Sequence, residues 1–126
     1  MKRSPLKRGK RKPKTDDEKQ AARAWALPVK AKPCRRCGSR DLVEAHHVIG
    51  KSQLKRLGHH HLLWDERNAM PLCRRCHERH ETATDRIPRT LLTEANRDFA
   101  SDLGLEWMLD RYYAEDGTRS RHPGWA

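Results

Sequence analysis

The chain has 126 residues, 36% of them charged and 35% hydrophobic, with a formal net charge of +11. A mean hydropathy of −1.08 and a sequence pI near 10.0 leave no apolar run of membrane-spanning length, and too little apolar surface for a core that stands without a metal or disulfide staple. The excess of lysine and arginine points to a polyanionic partner, nucleic acid first.

Residues 1–14, MKRSPLKRGKRKPK, combine eight basic side chains with two prolines and a glycine, so they read as a disordered basic arm. Thr15 followed by Glu18 is a capping-box pattern, and Asp16 and Asp17 suit the positive end of a helix dipole. A helix over 15–28 follows, closed by Pro28. Cys34-Arg-Arg-Cys37-Gly38 has the form of a zinc knuckle, with Gly38 free to take a positive φ. Leu42-Val43 and Val48-Ile49 mark Asp41–Ile49 as a strand. Gly50–Leu63, with Lys51, Lys55, Arg56 and His59-His60-His61, reads as a solvated loop.

A second strand is predicted over Asn68–Leu72, ended by Pro71-Leu72, and a helix from Cys73 to about Thr84. Beyond Pro88, Leu91, Leu92, Ala95, Phe99 and Leu103 recur at helical spacing from Thr90 or Thr93, until Gly104 stops the run. Glu106–Tyr113 forms a last short helix whose Trp107, Met108, Leu109, Tyr112 and Tyr113 supply packing surface. The organisation is a basic arm (1–14), an N-terminal helix (15–28), a core (29–87), C-terminal helices (88–113) and a flexible tail (114–126).

No apolar signal segment follows Met1, so a reducing, cytoplasmic setting is expected, where paired Cys-x-x-Cys motifs are zinc ligands rather than disulfides. Redox chemistry at the cysteines lacks a thioredoxin-like surround. Cys34, Cys37, Cys73 and Cys76 suffice for one closed structural zinc site. Closing it folds the chain back across a hairpin and sets His46-His47 beside His77. His77 and His80 share a helix face, while adjacent His46 and His47 point to opposite faces of a strand. One imidazole of that pair is thus available as a metal ligand and the other as a base.

Glu44-Ala45-His46-His47-Val48-Ile49, then Asn68, then Leu72-Cys73-Arg74-Arg75-Cys76-His77 resembles the HNH endonucleases of the ββα-metal class, in their zinc-knuckle branch. LLWDERNAMPLC and PRTLLTEANRDFASDLGLEW are similar to small stand-alone HNH proteins of bacteriophages. The resemblance implies an α+β fold: a small ββα-metal core stapled by four cysteines and flanked by helices. It implies His46 and His77 as ligands of a catalytic divalent cation (Mg2+, Mn2+, Ni2+ or Zn2+), with His80 or Glu81 as a further neighbour. His47 would be the general base, and Asn68 would brace the loop and orient that base.

The activity implied is metal-dependent hydrolysis of DNA phosphodiesters, leaving 5′-phosphate and 3′-hydroxyl ends. Arg74, Arg75, Arg79 and Lys51 would grip the DNA backbone. A monomer in the host cytoplasm, working with phage terminase subunits in DNA packaging or processing, completes the expectation. The alternative is a zinc-stapled DNA-binding adaptor without catalysis.

Overall fold

The computed structural model describes residues 14–115; the basic arm before Lys14 and the tail from residue 116 lie outside them. Helix α1 spans Asp16–Lys30, opened by the expected capping box: the Glu18 N–H donates to Thr15 Oγ1 at 3.1 Å and the Thr15 N–H to Glu18 Oε1 at 3.0 Å. It continues through Pro28 instead of ending there. Proline's φ is itself helical, so near the last turn it removes one donor, and the Ala31 and Lys32 N–H groups still close onto the carbonyls of Leu27 and Val29.

Strands β1 (Val43–His47) and β2 (Ala69–Cys73) form an antiparallel pair, with Val43 opposite Cys73 and His47 opposite Ala69. Strand β1 starts later than the predicted 41–49 because Leu42 takes a φ of +49° and breaks the extended run, and it ends at His47. Pro71 lies inside β2, opposite Ala45, rather than at its end. In a two-stranded sheet its missing N–H costs nothing on the outer edge. Its carbonyl accepts from the Arg35 N–H at 2.8 Å, which seats the first knuckle on the sheet.

The segment after β1 is more ordered than its composition suggests. It holds helix α2 (Lys51–Arg56) and a 3₁₀ turn over His60–Leu62, because Leu54 and Leu63 are buried among the charged residues. Helix α3, Arg74–Glu81, stops short of Thr84, where Ala83 turns to a φ of +61°. Helix α4 (Glu94–Asp102) starts from a Thr93/Asn96 capping box, and α5 spans Glu106–Tyr112. Trp107, read as packing surface, is 50% exposed, whereas Met108, Leu109 and Tyr113 are buried.

The result is a mixed α+β fold with a small ββα centre. Ile49, Leu54, Met70, Leu72, Ile87 and Phe99 form the heart of one apolar cluster that also takes in Cys34, Cys73 and Cys76. Helices α1 and α3 both pack on the sheet. Alternation along β1 divides its side chains between them: Glu44 and His46 face α3, and His47 faces α1.

Candidate active site and cysteine cluster

All four cysteines are free thiols, and their sulfurs lie within 4.8 Å of one another. Sγ of Cys37 and Sγ of Cys73 are 3.7 Å apart, close to the edge of about 3.8 Å expected for a tetrahedron with metal–sulfur arms of about 2.3 Å. The knuckle is shaped by Gly38, at a φ of +80°, whose N–H returns to the Cys34 carbonyl at 2.9 Å. Burial by itself would raise the Cys34 thiol, but hydrogen bonds with the backbone at Cys37, Cys73 and Arg36 outweigh it and bring it down to about 6. Burial pushes the Cys76 thiol up, and the neighbouring thiols add to the effect. By their geometry the four sulfurs can hold a metal such as zinc.

A second group with the spacing of metal ligands is His46, His77 and Glu81. Nδ1 of His46 and Nε2 of His77 each lie 3.6 Å from Oε2 of Glu81. Four residues separate His77 from Glu81, which puts both on one face of α3, over the Glu44 and His46 face of β1. The remaining nitrogens are engaged. Nδ1 of His77 meets Oε1 of Glu44 at 2.8 Å, and since a carboxylate only accepts, Nδ1 carries the proton and Nε2 is left with its lone pair. The same bond, ahead of that from Arg74, holds the Glu44 carboxyl below its ordinary value. Burial drives His46 well below its usual pKa, with the charges of His80 and His77 adding, so its ring is neutral.

His80 is turned elsewhere. Its Nδ1 accepts from the Ile87 N–H at 3.0 Å, and its ring packs between His46 and Tyr113. The place left open between His80 and Glu81 is taken geometrically by Glu81.

On the other face of β1, the His47 ring stacks on Trp25 with centroids 4.1 Å apart, and Trp64 leans against it at 5.4 Å. Nε2 of His47 donates to the Leu63 carbonyl at 2.9 Å. A carbonyl can only accept, so Nδ1 is the basic nitrogen. Burial is the main cause that brings His47 down to about 4, and Lys51 contributes.

Asn68 is fully buried, with Oδ1 accepting from the Ile49 N–H at 2.7 Å and Nδ2 donating to the Ile49 carbonyl at 3.0 Å. It braces the chain just after the histidine pair. The hydrogen bond that orients His47 comes from Leu63, not from Asn68.

His46, His47, His77 and Glu81 line one cleft of about 1300 Å³, together with Lys14, Lys51, Lys55 and Arg86. Lys51 sits over the Trp64 ring at 5.4 Å. Arg74 is exposed but pairs with Glu44 at 3.1 Å, Arg75 is exposed, and Arg79 lies 3.9 Å from Asp85. His60 and His61 are exposed, as the loop reading expected.

Residues 34–83 match the family model described as HNH endonuclease. This segment contains the four cysteines, both strands, Asn68 and the His46, His77 and Glu81 group, so both sets of side chains with metal-ligand spacing fall within the matched part of the chain. Comparison with curated proteins and with solved structures gives no match. No helix among the described residues is long and apolar enough to cross a membrane.

Proposed function

We propose that the protein is a metal-dependent DNA endonuclease in which His46, His77 and Glu81 hold a catalytic divalent cation and His47 is the general base. The reading is carried by the lone-pair assignment of the histidine pair: His47, with its proton on Nε2 at the Leu63 carbonyl, has a basic Nδ1 in the same cleft as the three ligand groups.

In this reaction Nδ1 of His47 takes a proton from the attacking water. A neutral ring is required for that, and burial keeps His47 neutral at physiological pH. Trp25 and Trp64 restrict the ring's rotation, so its direction is set before substrate arrives. A divalent cation such as Mg2+, Mn2+, Ni2+ or Zn2+ would supply Lewis-acid stabilisation of the phosphate and of the leaving 3′ oxygen. The products are 5′-phosphate and 3′-hydroxyl ends. Asn68 holds the loop in place without touching the chemistry, and the four cysteines, which do not line the cleft, would hold a structural zinc.

Lys51, Arg74, Arg75 and Arg79 supply backbone phosphate contacts, consistent with the strongly basic composition. Lys51 beside the cleft bears most directly on substrate placement. A role in phage DNA processing, with a terminase subunit as the partner to test, belongs to the same proposal.

Supercoiled plasmid incubated with manganese and either the wild type or His47→Ala tests the assignment. Loss of a general base slows such steps by about 10²–10⁴-fold, and a drop of that size with unchanged circular dichroism is the expected result. Equal cutting by both proteins overturns the role of His47. Salt-sensitive DNA binding with no cleavage under any of the four metals would instead establish a binding adaptor.

A further inference from the structure

We infer that Tyr113, outside the matched segment, is a positioning residue that selects the metal-binding tautomer of His46; the inference rests on the proposed metal site. The Tyr113 hydroxyl lies 2.9 Å from the Val48 carbonyl and 2.8 Å from Nε2 of His46. A phenol has one proton, and the Val48 carbonyl can only accept, so that proton belongs to the bond with Val48. The phenol oxygen then accepts from His46, and Nε2 of His46 carries the ring proton. Nδ1 keeps its lone pair, and Nδ1 is the nitrogen 3.6 Å from Glu81.

The arrangement parallels Glu44 on His77, so each histidine of the group has one nitrogen tied to a fixed acceptor. Outer partners of this kind set ring orientation and ligand basicity, and losing one typically weakens metal binding by about 10–100-fold. Tyr113 is itself held firmly. It is 4% exposed, and just beyond it Ala114 exchanges hydrogen bonds with Ile87 and Arg89 at 2.9 Å each. Since the Ile87 N–H also binds His80, the C-terminal helices are coupled to α3 through this strap.

Full-length protein carrying one equivalent of zinc, which the four thiolates take in preference, is titrated with Mn2+, with bound ion read by electron paramagnetic resonance, for the wild type and Tyr113→Phe. Manganese is hard and oxygen- and nitrogen-seeking, so the sulfur site does not compete for it. Weakening of Mn2+ affinity by about 10–100-fold in the variant is expected. Equal affinities overturn the role of Tyr113 while leaving the metal site intact. Absence of Mn2+ binding to the wild type overturns the metal site and this inference with it. Long-range ¹H–¹⁵N spectra of the wild-type imidazoles give a second measurement that needs no variant to fold: the His46 ring, assigned through its own backbone resonances, must be an Nε2–H tautomer, and an Nδ1–H pattern refutes the assignment.

Discussion

Replacing Asn68 with alanine is expected to damage stability as well as activity, and the size follows from its two hydrogen bonds. Both partners are backbone groups of Ile49, a residue 1% exposed, and Asn68 itself is fully buried. Without the amide, a buried N–H and a buried carbonyl lose their partners, at about 1–3 kcal/mol each. The loss is therefore about 2–6 kcal/mol, a large part of the stability of a domain this size. Urea unfolding of the zinc-loaded protein measures it as a fall in midpoint with little change in slope. Asn68→Asp sharpens the test because it keeps the acceptor and the shape but turns a carboxylate oxygen toward the Ile49 carbonyl. Protonating that carboxyl restores a donor, so the deficit relative to wild type should narrow as the pH falls. If Asn68→Ala unfolds at the wild-type midpoint and Asn68→Asp shows no such narrowing, the bracing role is wrong.

The cysteine cluster and the buried histidines give two more expectations. Cys73→Ser, or removal of zinc by a strong chelator, should abolish the cooperative thermal transition, because three of the four cysteines belong to the main apolar cluster and metal binding in such small sites is folding energy; an unchanged transition in calorimetry contradicts this. His47 and His80 are both brought down to about 4, chiefly by burial. Both rings stay neutral in the folded protein while the unfolded chain, with histidines near 6.5, takes up protons. Their contribution is thus complete above about pH 6.5 and is lost as the pH falls toward 4, on the order of 3 kcal/mol for each. Urea midpoints between pH 7 and 4.5 should fall steeply, and His80→Gln should reduce the slope; an unaltered slope in that variant removes His80 from the account.

How much could be read from the chain alone depended on separation along it. The two knuckles, the histidine pair and the capping box at Thr15 are short-range patterns, and each stands where its spacing indicated. The grouping of His77 with Glu81 and of Glu44 with His46 was also within reach. It needs no more than the 3.6-residue turn of a helix and the two-residue repeat of a strand. Helix α2 was hidden because its one buried residue, Leu54, is outnumbered by charges. Pro28 and Pro71 look like stops in the sequence, although a last helical turn and the outer edge of a two-stranded sheet both tolerate a missing N–H.

Residue types and local periodicity specified the chemistry available: sulfur for a scaffold, imidazole for a ligand and a base. They could not specify which nitrogen of each ring is free. That depends on acceptors distant in sequence: Leu63 for His47 and Tyr113 for His46, the latter 67 residues away. Trp25, packed on His47 from the N-terminal helix, is beyond local pattern for the same reason. A hydrogen bond or ring stack acts over a few ångströms of space and leaves no periodic mark on the sequence, so these partners emerge only when the hairpin, α1 and α5 close around the sheet.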